Sequence, residues 1–399
     1  MADTIVEKLQ KLYKSFVIGN IYIHDEEPDV KKWIDRIESL KEANDCFDQS
    51  FNKYICRCDF FPLYKRAILN CAALIAHLIS LPRVLRSHEE LKKPVDKRLV
   101  IERASNVDYE DVIPQELTEK YSELIETTQK GIKKGLLCKE ARQLFFRCVK
   151  KHPFCFYYNY FVLKELSIHS AYLMKHNPSA TAVYVNERNV ASPIIRELYE
   201  TNGRQFISFM HGEYLLQMIQ AFFSFSKYYV WDKAYIGMFK NDLKCDVGEY
   251  IVYTPGKLKK KWNLEEITPK YDLTYYFSGE SAESIKIISD VFHDLQSKGK
   301  KCKVRPHPRD SQYHKLIHTC FQDMYIEDPH ETSMQESLSD TEYVLGLVTT
   351  VLSEAIVEGR KVILDDLSNP DLYHSLVARK YIILQKEYIL LSDYLRVQK

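Results

Sequence analysis

The stretch Tyr343-Val-Leu-Gly-Leu-Val-Thr-Thr-Val-Leu-Ser-Glu-Ala-Ile-Val-Glu-Gly359 decides the fold. It opens on a short apolar run, Tyr343 to Leu347, with the length of a buried strand rather than a helix. Thr349 and Thr350 follow with hydroxyls suited to a helix start. Val351 to Glu358 continues as a helix, Gly359 is placed to stop it, and Lys361 to Leu364 is apolar again. A strand that runs through a helix into another strand implies a parallel pair joined by a crossover.

The same rhythm extends outward. Leu273 to Phe277 reads as a strand leaving into Ser278-Gly-Glu-Ser281, then a helix from Ser284 to Gln296 stopped at Gly299. Cys302 to Arg305 is the next strand, followed by Asp323 to Ile326 and a short helix from Ser333 to Leu338. Upstream, Ala182 to Asn186, Gln205 to Met210 and Tyr228 to Trp231 read as strands, with a helix from Ile194 to Thr201 between the first two. The chain is therefore an α/β protein with two alternating regions.

Residues 1–150 read as largely helical, with Phe16 to Ile23 as the one strand expected there. Thr118 to Ile132 and Lys139 to Val149 are helices, as is Ala67 to Leu81, which we take as a buried helix ending at Pro82 rather than a membrane span. The division expected is 1–255, with 180–250 Rossmann-like, then 265–385, and a last helix in 386–399. The linker falls near 250–270, where Thr254-Pro-Gly-Lys-Leu-Lys-Lys-Lys-Trp262 is a solvated loop or, through its lysines and tryptophan, a contact with anionic lipid.

Composition narrows the function. The 399 residues carry 56 Lys+Arg and 55 Asp+Glu, a net charge of +1, so no nucleic-acid partner is expected. Only 12 residues are glycine, well under the usual share of about 7%. No two are spaced for G-x-G-x-x-G or for G-x-x-x-x-G-K-[ST], so any phosphate must be held without a glycine-rich loop. The ten cysteines form no C-x-x-C pair, and the N-terminus lacks the apolar core of a signal peptide. Both point to reduced thiols and a cytoplasmic protein. No D-x-D or H-E-x-x-H occurs, and no metal is expected.

Ligands of parallel sheets sit beyond the carboxyl ends of the strands. In Arg305-Pro-His307-Pro-Arg309-Asp310, two prolines brace a histidine between two arginines suited to phosphate. Thr349 and Thr350 open a helix whose free N–H groups attract anions, with Ser353 and Glu354 on the next turn. Gly279 in Ser278-Gly-Glu-Ser281 permits close backbone approach, and Ser281 could equally be a plain cap. His211 and Glu213, in Met210-His-Gly-Glu213, are candidate general bases, with Glu187 in reserve. Asp365-Asp366 reads as a turn.

Together these motifs resemble bacterial capsule and lipopolysaccharide glycosyltransferases of the GT-B type, most of all the CMP-sugar group of sialyltransferases and Kdo transferases. The resemblance covers roughly residues 180–365. It implies a GT-B-like fold, two Rossmann-like domains facing across a cleft, with an extra helical N-terminal region. It implies that His307 assists departure of the CMP phosphate and that Thr349 and Thr350 bind it, without a cofactor beyond the nucleotide-sugar donor. The family's acidic pair before glycine reads Met210-His211 here, a departure that leaves the base open. The acceptor would be a glycan or glycolipid, with a peripheral membrane contact on the inner face of the plasma membrane. A His-Gly turn also resembles the CDP-glycerol phosphotransferases of teichoic-acid synthesis. A UDP-sugar transferase or epimerase, and a non-catalytic partner in glycan assembly, are the other readings.

Overall fold

The computed structural model describes the chain except 1–28, 87–89, 95–97, 103–111, 122, 128–134, 178–180, 185, 263, 309–310 and 399. It divides into two compact units: Met1–His211 with Leu216–Tyr253, and Gly212–Leu215 with Thr254–Lys399. The expected strand Phe16 to Ile23 lies outside the described residues.

In the first unit, α1 (Val30–Ser39), α2 (Cys46–Cys58) and α3 (Leu63–Arg86) precede β1 (Arg98–Glu102), α4 (Gln115–Lys120) and β2 (Glu123–Thr127). Then come α5 (Lys139–Lys151), α6 (Phe156–His176), β3 (Thr181–Tyr184), α7 (Ser192–Glu200), β4 (Gln205–Phe209), β5 (Ser224–Val230), α8 (Lys233–Gly237) and β6 (Asp246–Val252). The sheet order is β2-β1-β3-β4-β5-β6, with every pair parallel. Phe206 to Phe209 of β4 are all buried, as strands covered on both faces must be. Leu99, Ile101, Leu117, Ile207, Phe209 and Tyr229 form one core cluster of the unit.

Two expectations fail here. The described part of 1–150 is mostly helical but contains β1 and β2, where no strand beyond Phe16 to Ile23 was expected, and the helix expected over Thr118 to Ile132 stops at Lys120. Glu123-Leu-Ile-Glu-Thr127 is made of residues that suit either state, and its parallel register with β1, Leu99 opposite Leu124, settles the matter. The expected buried helix at Ala67 to Leu81 is instead α3, which runs through Pro82 to Arg86. It buries only Leu69, Ala73, Ser80 and Val84, while Leu63, Ile75, Leu78 and Ile79 are each more than 60% exposed. Apolar composition alone did not reveal that a single face is packed.

The second unit runs β7 (Tyr271–Tyr276), α9 (Ala282–Ser297), β8 (Cys302–Arg305), α10 (Ser311–Cys320), β9 (Tyr325–Ile326), α11 (Met334–Ser339), β10 (Thr341–Gly346) and α12 (Thr350–Val357). It ends with β11 (Lys361–Leu364), α13 (Pro370–Ala378), β12 (Ile389–Leu390) and α14 (Leu391–Val397). Its sheet, also parallel throughout, is ordered β12-β11-β10-β7-β8-β9. Tyr275, Phe277, Ile285, Phe292, Val304 and Phe321 lie in its core. The expected last helix from Lys386 begins only at Leu391, because Ile389 and Leu390 pair with β11 instead. Each unit is thus a Rossmann-like α/β layer structure, the fold class expected from the strand–helix alternation.

Candidate functional site

The order of the second sheet sets the site. From β7 the chain winds one way to β8 and β9, then returns to β10 and winds the other way. The reversal lies between β7 and β10, and open parallel sheets bind ligands outside the strand ends at such a point. Register places the exits of β7, β8, β10 and β11 at one edge: Tyr276 pairs with Arg305, Tyr275 with Leu345, and Gly346 with Leu364. Ser278–Glu280, Pro306–His307, Thr349–Thr350 and Asp365–Ser368 all leave that edge.

At the β10 exit, Thr349 caps α12: its hydroxyl accepts from the Val351 N–H at 3.3 Å. The helix start is set close against β7. A Cβ on Gly346 would lie 3.2 Å from Thr349 Cγ2 and 3.2 Å from the Tyr276 carbonyl oxygen. Thr350 is exposed at the first turn, where the helix dipole favours an anion. One turn on, the Ser353 hydroxyl donates to the carboxylate of Glu213. Two motifs from opposite halves of the sequence therefore meet within the second unit, to which the short segment Gly212–Leu215 belongs. Glu354 is half-buried on the same helix.

At the β8 exit, Pro306 is buried and His307 half-buried, with the His307 carbonyl accepting from His314 Nε2 at 3.4 Å. Arg309 lies outside the described residues. Arg305 does not flank the histidine as a phosphate donor. Its guanidinium donates to the Glu327 carboxylate and, at 3.0 Å, to the Thr332 carbonyl. Glu327 also accepts from Lys303, and all three side chains are less than 10% exposed. A buried carboxylate shared by two cations balances charge that the sequence pattern presented as available for ligand.

The β7 exit is likewise occupied from within. The Glu280 carboxylate accepts from the N–H groups of Ser278 (2.6 Å) and Gly279 (3.1 Å) and from the Ser278 hydroxyl (3.1 Å). Gly279 has a φ of 111°, the backbone freedom that forms this cradle. Burial raises the Glu280 pKa, against the lowering effect of the N–H bonds. Ser278 and Gly279 thus hold an internal carboxylate, which a phosphate at this turn would have to displace. Ser281 is the cap of α9, accepting from the Ser284 N–H at 3.1 Å.

Asp365 forms the expected turn, accepting from the N–H groups of Leu367 (3.1 Å) and Ser368 (2.9 Å) and from the Tyr275 hydroxyl (2.9 Å). In the basic stretch, the N–H groups of Lys261 and Trp262 donate to Glu358 at 2.7 and 3.0 Å.

In the first unit His211 is half-buried just past β4. The preceding carbonyl, of Met210, accepts from Trp231 Nε1 at 3.2 Å and from the Tyr253 hydroxyl at 3.0 Å, which fixes the exit. The reserve base Glu187 is buried and accepts from the Tyr228 hydroxyl at 2.9 Å, so it belongs to the core. Among the described residues, no three or more His, Cys, Asp or Glu are grouped to hold a metal ion.

Sequence reasoning missed Glu280 and Glu327. The signal for Glu280 was present, an acidic residue following glycine at a strand exit. Nothing local marks Glu327, which is defined by a strand neighbour 24 residues away.

No protein-family model matches the chain, and no curated protein matches it. Solved structures similar to it include Arabidopsis thaliana UGT89C1 complexed with UDP-L-rhamnose, at 7% identity over 75% of this chain and 85% of that one, TM-score 0.41. The wall teichoic acid polymerase TagF with CDPG is 10% identical over 83% and 88%, TM-score 0.42. Methanocaldococcus jannaschii UDP-GlcNAc 2-epimerase with UDP-GlcNAc and UDP is 14% identical over 73% and 93%, TM-score 0.37.

Proposed function

We propose that this chain is an inverting glycosyltransferase of the GT-B type, moving a sialic acid- or Kdo-type sugar from a CMP-activated donor to a hydroxyl of a capsule or lipopolysaccharide glycan. The observation that carries the reading is the Thr349–Thr350 helix start at the β7/β10 reversal, a phosphate site that needs no glycine loop. His307, on the same sheet edge, would donate to the departing phosphate. Stabilising that charge with preplaced dipoles and donors is the main catalytic contribution. Glu213 shares the unit that carries these groups, and Ser353 orients its carboxylate. We assign it the acceptor proton, with His211 as the other candidate. The acceptor oxygen bonds to the anomeric carbon as the carbon–phosphate oxygen bond breaks and CMP leaves. Glu354 would accept from the ribose hydroxyls. The reaction would take place in the cytoplasm, at the inner face of the plasma membrane.

A second reading rests on the fixed His211-Gly212 exit, which resembles the CDP-glycerol phosphotransferases. There the acceptor attacks phosphorus, and CMP again departs. The deciding experiment incubates the chain with CMP-sialic acid, CMP-Kdo, CDP-glycerol and UDP-sugars, each with and without glycan acceptor, and follows nucleotide release. Acceptor-dependent CMP release from a CMP-sugar supports the proposal, and release from CDP-glycerol alone supports the second reading. Interconversion of UDP-sugars without acceptor, or nucleotide binding with no turnover, overturns both.

A further inference from the structure

We infer that α3 is a membrane-surface helix, lying in the plane of an anionic lipid leaflet with its bare face among the acyl chains. One face of α3 is fastened to the first unit. Asn70 donates to the Phe154 carbonyl at 3.3 Å and accepts from the Tyr157 N–H at 3.0 Å, and His77 Nε2 donates to the Phe156 carbonyl at 3.0 Å. Leu69 and Ala73 pack there against Tyr157. The opposite half of the helix is apolar along its length, with Leu63, Ile68, Ile75, Leu78, Ile79 and Leu85 more than half exposed. The helix is long and apolar enough to cross a membrane. Its bonded face forbids that orientation in this fold and leaves the in-plane one. Phe154, in the turn that Asn70 holds, adds a further exposed apolar side chain, 81% exposed. Exposed apolar side chains gathered on one helix face mark an interaction surface, unlike single scattered ones.

Charge selects the occupant. The helix α3 contains Lys65, Arg66, Arg83 and Arg86 and no Asp or Glu, and Arg66 is paired with Asp59, just before the helix, at 3.3 Å. The cations stand at the two ends of the helix with the apolar face between them, the pattern that suits acyl chains under anionic headgroups. A second copy of the chain fits poorly. Pairing two α3 helices antiparallel would set Lys65 against Arg83 and Arg86. Pairing them parallel would set Lys65, Arg83 and Arg86 each on its twin, and α3 itself holds no carboxylate to neutralise either arrangement.

The inference does not depend on the transferase reading, and its test uses the full chain without substrate. Flotation is measured with vesicles of phosphatidylcholine alone and of phosphatidylcholine with phosphatidylglycerol at 3:1. The chain is expected to float with the anionic vesicles and not with the neutral ones. The double substitution Ile75→Gln/Ile79→Gln alters two exposed positions and should leave the melting curve intact while reducing vesicle affinity by roughly a hundredfold. Arg83→Ser/Arg86→Ser should weaken the preference for anionic lipid. The inference is overturned if the wild type does not float. It is also overturned if the isoleucine variant floats equally well, or if sedimentation shows a dimer in the wild type that those substitutions dissolve.

Discussion

The Glu213 carboxylate accepts a hydrogen bond from the Ser353 hydroxyl across 140 residues of chain. It ties the segment after the His211-Gly212 turn to the helix that begins at Thr350, joining a candidate base to a candidate phosphate-binding element. Coupling between the two is therefore expected. Ser353→Ala and Glu213→Gln should each lower the melting midpoint and slow turnover, and the double variant should be little worse than either. Hydrogen bonds to a charged group contribute about 1.5–3 kcal/mol when buried, and this half-buried pair should show about 1 kcal/mol in a double-mutant cycle. Additive effects would mean that the bond positions nothing.

Gly346 lies where β10 meets β7, with Thr349 and the Tyr276 carbonyl each 3.2 Å from the place a Cβ would take. The carbonyl belongs to a strand and cannot yield, so Gly346→Ala must push the Thr349 cap outward. The expected loss is about 1–3 kcal/mol of stability, the range for overpacked sites. Weaker nucleotide binding should accompany it. Calorimetric titration and melting of the same variant check the two effects together.

Glu327 neutralises Lys303 and Arg305 in the interior of the second unit. Removing it strands two buried cations, and Glu327→Ala should cost about 3–5 kcal/mol. Arg305→Met should perturb stability far more than nucleotide affinity. A selective loss of affinity in a variant that melts normally would return Arg305 to the ligand site.

His169 is buried among Tyr172, Tyr199 and Phe206, and burial pushes its pKa from 6.5 down to about 3. Between those values the unfolded chain binds a proton that the folded chain excludes. The contribution is complete above pH 6.5 and is lost as pH falls below it, by about 2 kcal/mol at pH 5. Melting at pH 7.5 and pH 5 should show that loss in the wild type, and His169→Phe should reduce it. An unchanged pH dependence in the variant would contradict the assignment.

The sequence pattern made the α/β class legible because β4, β10 and β11 carry short apolar runs closed by turn residues. It failed at β2, where Glu123-Leu-Ile-Glu-Thr127 has no intrinsic preference and is a strand only because β1 pairs with it. In the site, the positions of His307, Thr349 and Glu213 beyond strand ends could be read from order along the chain. The state of their neighbours could not. Arg305 looks like a ligand until Glu327 is seen beside it, and the Ser278-Gly279 turn looks like an anion cradle until Glu280 is found in it. Both depend on partners chosen by the tertiary fold. The exposed half of α3 was hidden for the same reason, since apolar residues on a helix do not state how many of its faces are covered.

The proposed site holds a CMP phosphate at the start of α12 with His307 beside it. The most direct measurement is the melting midpoint of the wild type and of His307→Ala and Thr350→Ala across CMP, CDP, UDP and GDP. CMP should stabilise the wild type, by about 2.7 kcal/mol at a concentration of 100 Kd. The response to UDP and GDP should be weaker, and the CMP response should shrink in both variants while their nucleotide-free midpoints hold. No response to any nucleotide, or an equal response in wild type and variants, would contradict it.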